Sequence, residues 1–193
     1  MKDGRTHLAH KYEYAVDLES GALVAVTVQT MDGGDTASVE RTLDVATEHL
    51  DAVDLTAKVV VADKGYHSNA VMVSVKSRGL RSYISEPKRG RRKWSKHKQA
   101  QQPTYANRRR IKGKRGKSLL RQRGEKVERA FAHLLETGGL RRVHVRGQIE
   151  ILKRMVLQGA AFNLGLLMRQ ACGVGKPRVL QGNRSGQLAL AAL

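Results

Sequence analysis

The sequence predicts an α/β domain, and three observations carry that reading. Val59-Val60-Val61-Ala62 is an unbroken apolar run followed at once by Asp63-Lys64-Gly65-Tyr66. That is the pattern of a strand buried on both faces and ending in a polar turn. Upstream of it, two β-rich stretches flank turn residues. Downstream of it, apolar residues recur at helical spacing. In open α/β sheets chemistry collects beyond the carboxyl ends of strands, so Asp63 is the first candidate functional residue.

The elements follow in order. His7 to Asp17 and Ala22 to Met31 alternate, and Leu18-Glu19-Ser20-Gly21 between them is turn chemistry, which together predict a hairpin. Asp17 falls at the turn, where its side chain is expected to bond nearby backbone. Asp32-Gly33-Gly34-Asp35-Thr36 is a loop and a helix start, with Asp35 or Thr36 as N-cap. That helix runs to about Leu50, with Val39, Leu43, Ala46 and Leu50 on one face and His49 at the surface. Lys58 to Ala62 is the central strand. Ser68 caps a helix through Val71, Met72 and Val75 that stops near Gly79. Leu80 to Ser85 is a short strand ended by Pro87. The order β-β-α-β-α-β implies a mixed sheet with an antiparallel hairpin and a parallel crossover.

The character then changes. Lys88 to Arg123 holds sixteen Lys/Arg and no Asp/Glu, with Trp94, Tyr105 and several amides interleaved. This composition suits phosphate contact with some base or sugar packing. It is too polar for a core of its own, so residues 88–117 read as a basic arm ordered mainly by its partner. From about Ser118 to Thr137 the helical period returns, with Val127, Ala130, Phe131, Leu134 and Leu135 in one stripe and Glu128 at its border. Gly138-Gly139 ends that helix, Leu140 to Gly147 is a basic connector, and Ile149 to Cys172 is a long helix. Residues 173–193 read as a flexible tail.

At 193 residues the chain holds one core. A single Cys172 excludes an internal disulfide framework and a cysteine zinc site. No apolar run looks long enough to span a bilayer, Met1-Lys2-Asp3-Gly4 is no signal peptide, and a cytoplasmic location is expected. Charge is more informative. The net charge is +19 and very uneven. Residues 1–63 hold twelve Asp/Glu and five Lys/Arg, net −7, and residues 64–193 hold five and 31, net +26. A polyanionic partner, nucleic acid, follows.

Asp63 and Glu128, 128 − 63 = 65 positions apart, are then paired carboxylates in a basic setting. Hard divalent cations such as Mg²⁺ bind carboxylate oxygens and keep open positions for phosphate. Two such ions can clamp the oxygens of an in-line phosphoryl displacement.

Two blocks carry a family resemblance: Val60-Val61-Ala62-Asp63-Lys64-Gly65-Tyr66-His67-Ser68, and Val127-Glu128-Arg129-Ala130-Phe131-Ala132-His133 with Gly139-Leu140-Arg141-Arg142 and Val145-Arg146-Gly147. Ala161-Phe162-Asn163-Leu164 adds a third. In this order they resemble the DDE transposases of bacterial insertion sequences, over roughly residues 5–170. The resemblance implies an RNase H-like catalytic domain over 1–172, a mixed sheet flanked by helices. It implies that Asp63 and Glu128 are two of three carboxylates binding Mg²⁺ or Mn²⁺, and that the domain nicks DNA at element ends and joins the freed 3′-hydroxyl to target DNA. DNA contact is expected from Lys64, Arg91, Arg92, Lys93, Trp94, Arg108, Arg109, Arg110, Arg121, Arg123, Arg129, Arg142 and Arg146. A homo-oligomer on paired DNA ends, association with the nucleoid and no membrane are also implied.

The departures shape the expectation. Where many members carry Tyr, Arg, Glu and Lys, this chain has Arg121, Gly124, Glu128 and Leu135. Arg121 or Arg123 stands in as a phosphate clamp, and Glu125 is a reserve carboxylate. The family's first Asp belongs upstream of the hairpin. Asp3 lies in a polar stretch without strand character, and Asp17 lies at a turn. The chain is therefore expected to be an N-terminally truncated, C-terminal portion. Its hairpin would lack a neighbouring strand, its metal binding would be weak, and it would bind DNA without cutting it. The alternatives are a non-catalytic basic DNA-binding protein and an RNA-associated basic protein.

Overall fold

The computed structural model describes residues 10–30, 34–88, 90 and 92–173, the side chains of Thr30 and Asp35 apart. β1 (His10–Val16) and β2 (Leu23–Thr30) form the antiparallel hairpin, with Tyr12 opposite Val28, Glu13 opposite Thr27 and Tyr14 opposite Val26. Gly21 closes the turn at φ +80°, a left-handed conformation that glycine adopts without steric cost. The Asp17 carboxylate accepts bonds from the Ser20 amide (2.7 Å) and hydroxyl (2.6 Å), the local role expected of it. Partial burial pushes its carboxyl up, but the Ser20 bonds and nearby Lys126 outweigh that and hold it below the usual range.

α1 (Asp35–Asp51) follows. Its N-cap is Gly34, not Asp35 or Thr36, because the Gly34 carbonyl already accepts from the Ala37 and Ser38 amides at 2.9 and 3.4 Å. β3 (Val59–Ala62) pairs in parallel with β4 (Arg81–Ile84). A 3-10 turn, Lys64–Tyr66, and α2 (Asn69–Ser77) connect the two. Ser68 caps α2 as expected, its hydroxyl accepting from the Val71 amide at 3.1 Å. The expected mixed sheet is present as two ladders, β1-β2 and β3-β4. Among the described residues no strand pairs with the other edge of β1 or of β3. Helix α4 packs on strands of both pairs, and α1 packs on the hairpin, on α2 and on the 3-10 turn after β3, so helix packing supplies the cohesion that a shared ladder would otherwise give.

Two apolar clusters result. One lies between the hairpin and the C-terminal helices and includes Leu23, Val28, Ala130, Leu134, Leu140, Ile151 and Met155. The other joins Val39 of α1 and Val71, Met72 and Val75 of α2 to Ile84 of β4.

The basic region is better built than its composition predicts. α3 (Lys98–Lys112) and α4 (Lys114–Ala132) are consecutive helices, and a π-type turn, His133–Thr137, ends the second. α3 is docked on α2 and β4 through Ala100, Pro103, Thr104 and Asn107, all buried. Those positions recur at helical spacing but are small or polar, so no apolar stripe announces them. The Asn107 side chain acts as an extra strand residue. It accepts from the Ile84 amide (3.0 Å) and donates to the Ile84 carbonyl (2.8 Å), closing the β4 edge. α3 turns into α4 at Gly113, and the first turn of α4 lies so close to the end of α3 that a Cβ on Gly116 would lie 2.1 Å from the Arg110 carbonyl oxygen.

α5 (Gln148–Cys172) closes the fold against β2. Asn163 repeats the Asn107 device on Leu23, with both bonds at 2.8 Å. Contrary to the sequence expectation, this helix is by length and composition apolar enough to cross a membrane, an 18-residue window of it having a mean hydropathy of 1.2. Its bonds to β2 make it a packed element of the fold. The expected tail lies outside the described residues apart from Gly173.

Candidate active site and nucleic-acid face

Asp63 leaves β3 in extended conformation and starts the 3-10 turn, whose Tyr66 amide donates to the Asp63 carbonyl at 3.1 Å. No side-chain cap bond uses its carboxylate. The residue is exposed. α4 packs across β3 and β4. Glu128 is exposed on α4, its Oε1 3.9 Å from where a Cβ would sit on Gly124. Glycine one turn back thus leaves open surface beside this carboxylate. At ~100° per residue, Lys117, Arg121, Gly124 and Glu128 share one face of α4. Among the described residues neither the Asp63 nor the Glu128 carboxylate makes a hydrogen bond or ion pair.

Glu13 is the residue that sequence reading missed. It is buried on β1, at 4% exposure. Its Oε2 accepts from Thr42 at 2.8 Å, and its Oε1 accepts from Ser38 and from the Tyr66 hydroxyl (3.3 Å). Lys11 forms an ion pair with it at 3.1 Å and also bonds Ser38. Thr27 and Thr42 share a further hydroxyl bond of 2.7 Å. A polar layer therefore fastens α1 to the hairpin and ties both to Tyr66, three residues beyond Asp63. The one sequence signal was Lys11 and Glu13 alternating with Tyr12 and Tyr14, which marks a two-faced strand without saying that α1 covers the polar face.

The expected DNA-contacting residues separate into two groups. Arg92, Arg108 and Arg110 have partners inside the protein. Arg108 makes a bidentate pair with Glu86 at 2.6 and 2.8 Å. Arg92 also faces Glu86 at 3.5 Å and bonds Asn69 at 3.3 Å. Arg110 donates to the Ser82 carbonyl and hydroxyl, both at 2.9 Å, and burial pushes its pKa down. Trp94 and Tyr105 pack at 5.8 Å, under Arg92 and Arg108 respectively. Glu86, Arg92, Trp94, Tyr105 and Arg108 thus form a closed ring that fastens the connector after β4 to α3. The Arg108 bonds hold the Glu86 carboxyl below its usual range, against partial burial.

The other group is available. Lys64, Lys93, Arg109, Arg121, Arg129, Arg142 and Arg146 are exposed and Arg123 is half-buried. None of them has an ion-pair partner among the described residues. Arg91 lies outside the described residues. The outer face of α3 carries Lys98, Gln101, Gln102, Tyr105, Arg109 and Lys112 along a shallow cavity of about 640 Å³. Arg121 and Lys117, in line with Glu128, continue the positive surface onto α4.

In chemical kind the donor set fits a hard divalent ion, because both carboxylates are exposed and bear no competing cation. In number it is small. Among the described residues no group of three or more His, Cys, Asp or Glu is gathered for a metal.

β3 is half-buried along its length, not buried on both faces as its apolar run predicts, because no strand covers its other edge among the described residues. An α/β domain with a free carboxylate beyond such a strand, beside a strongly basic helical surface, is built to handle a polyanion. The transposase DDE domain family model matches residues 2–164, and the chain belongs to that family. No match was found among curated proteins or among solved structures. Membership implies DNA transposition and divalent-metal dependence in general terms.

Proposed function

We propose that the domain acts in metal-dependent DNA strand cleavage and strand transfer for an insertion sequence, with Asp63 and Glu128 holding Mg²⁺ or Mn²⁺. The single observation that supports this most is that the two carboxylates in the family-like blocks are exposed and unpaired. Glu13 and Glu86, by contrast, have both carboxylate oxygens engaged within the fold. The ion, when bound, neutralises phosphodiester oxygens and favours a deprotonated attacking hydroxyl. The chain's own part is to hold the backbone in line. Arg121 and Lys117 lie on the Glu128 face of α4 to clamp a phosphate, and Lys64 lies beside Asp63 to clamp another. Arg109, Arg129, Arg142 and Arg146 add sequence-independent grip.

Two carboxylates are a thin ligand set for two ions, so the polypeptide by itself is expected to bind DNA and leave it uncut. Pure protein is incubated with supercoiled plasmid and Mg²⁺ or Mn²⁺, in parallel with a gel-shift titration at several salt concentrations. Salt-sensitive binding without nicking supports the reading. Nicking that Asp63→Ala abolishes keeps the chemistry and removes the inactivity. Arg109→Ala should lower the slope of log affinity against log salt by about 1. A merely basic DNA-binding protein would show Mn²⁺ affinity unchanged by Asp63→Ala and Glu128→Ala, which is the result that favours the non-catalytic alternative.

A further inference from the structure

The turn that carries Asp63 is held unevenly. Asp63, Lys64 and Gly65 are exposed, whereas Tyr66 is half-buried and His67 is buried. Beyond them Ser68 caps α2. The exposed part is three residues long, and its shape depends on what holds Tyr66. The Tyr66 ring packs beside the cluster of Val39, Val71, Met72, Val75 and Ile84. Its hydroxyl reaches further and donates to Glu13 Oε1 at 3.3 Å, across 53 positions of sequence.

The geometry of the turn converts that bond into a constraint on Asp63. In a 3-10 turn, side chains three positions apart eclipse one another. Asp63 and Tyr66 stand at that spacing, and the Tyr66 amide donates to the Asp63 carbonyl at 3.1 Å. Displacing Tyr66 therefore displaces the Asp63 peptide. The anchor at the far end is firm. Glu13 is buried, its Oε2 accepts from Thr42 at 2.8 Å, and Lys11 pairs with it at 3.1 Å while lying 6.0 Å from the centre of the Tyr66 ring.

Magnitudes separate holding the fold from aiming a ligand. At 3.3 Å the hydroxyl bond is longer than the ~2.7–2.8 Å usual for such donors, so its share of folding stability is small. Glu13 keeps Ser38, Thr42 and Lys11 without it, and a Phe ring fills the same apolar space. The ring sets how deeply the side chain sits. The hydroxyl sets its direction toward the hairpin, and direction is what partners behind a metal ligand supply.

We propose that Tyr66 is a positioning residue for Asp63, its hydroxyl bond to Glu13 fixing the 3-10 turn and with it the carboxylate beyond β3. The inference rests on the reading of Asp63 as a metal ligand. It adds that the aim of this ligand comes from the polar layer between the hairpin and α1.

The test compares Tyr66→Phe with wild type and with Tyr14→Phe. The latter loses a hydroxyl that bonds Met155 Sδ on the other face of β1. Mn²⁺ binding is followed by the free-ion electron paramagnetic resonance signal, and amide hydrogen exchange by nuclear magnetic resonance. Tyr66→Phe should raise the Mn²⁺ Kd about ten-fold and speed exchange of the residue-66 amide about ten-fold. Exchange within β2 should stay as it is, and the thermal midpoint should fall by less than about 4 °C. Tyr14→Phe should leave Mn²⁺ affinity and the residue-66 amide as in wild type. Unchanged Mn²⁺ affinity in Tyr66→Phe overturns the proposal, and so does weaker affinity with unchanged exchange, which puts the effect outside the turn. A larger fall in midpoint overturns it as well, because the hydroxyl is then a contact of the whole fold. Wild type that binds no Mn²⁺ removes the ligand reading of Asp63 instead. The residue-66 amide then decides the positioning by itself, faster exchange upholding it and unchanged exchange overturning it.

Discussion

Glu13 and Asp63 stand at two ends of one short path, through the Tyr66 hydroxyl and the 3-10 turn, and their circumstances are opposite. Glu13 is buried and accepts from Ser38, Thr42 and Tyr66 while Lys11 balances its charge. Asp63 is exposed, and no side chain among the described residues answers it. A buried carboxylate survives only when its bonding capacity is filled, and once filled it has none to offer a ligand. An exposed carboxylate contributes little to folding and stays available. The same functional group therefore serves as a fastener on the polar side of the hairpin and as a candidate ligand beyond β3.

The largest effect should come from breaking the fastener. Glu13→Ala removes the buried carboxylate that Ser38, Thr42, Tyr66 and Lys11 share, and is expected to lower unfolding free energy by about 3 kcal/mol. Urea unfolding followed by circular dichroism measures it. A loss under about 1 kcal/mol would mean that α1 is held to the hairpin by other contacts.

The sequence showed much of this fold and little of this contrast. The hairpin, β3, the Ser68 cap and the long last helix are local facts, written in alternation, apolar runs and cap chemistry. Asp63 and Glu128 were visible for the same reason, as carboxylates at the ends or borders of apolar patterns. Glu13 was not, because on a strand a polar residue reads as the solvent face. Only α1, arriving from elsewhere in the chain, buries it. The docking of α3 was hidden similarly: its inner face is Ala100, Pro103, Thr104 and Asn107, and a proline with an amide does not signal burial. The division of the arginines was also hidden, since the partners of Arg108 and Arg110, Glu86 and Ser82, lie 22 and 28 residues upstream.

A second buried polar group extends the comparison from charge to amide. Asn107→Ala exposes both the amide and the carbonyl of Ile84 at a strand edge, in a site with no exposure to water. The expected loss is about 2 kcal/mol, and about half that for Asn163→Ala, whose side chain is only partly buried. Equal losses at the two positions would show that burial does not set the cost of an unmade bond here.

Glu86 is intermediate, a half-sheltered carboxylate shared by two arginines. Its folded pKa lies below the ordinary value because the Arg108 bonds favour the ionised form. Its contribution to stability is therefore complete above the ordinary carboxylate range of about 4.3 and fades as pH falls through the depressed folded value. Wild-type stability measured from pH 6 to pH 2.5 should drop more steeply than that of Glu86→Gln. Parallel curves would remove the ring of Glu86, Arg92 and Arg108 from the list of acid-sensitive contacts.

The smallest expected effect sharpens the comparison most. Asp63→Ala and Glu128→Ala should each shift unfolding free energy by no more than about 0.5 kcal/mol, because both side chains are exposed and hold nothing in place. A loss beyond about 2 kcal/mol at Asp63 would put it in the class of Glu13 and end the distinction. An unchanged stability has meaning only beside a second measurement on the same samples. Mn²⁺ binding followed by the loss of its free-ion electron paramagnetic resonance signal should weaken with each substitution and be insensitive to Glu125→Ala if Glu128 is the helix-borne ligand. A residue that can be removed without cost to the fold, and not without cost to the ion, is held at that position by the chemistry it performs.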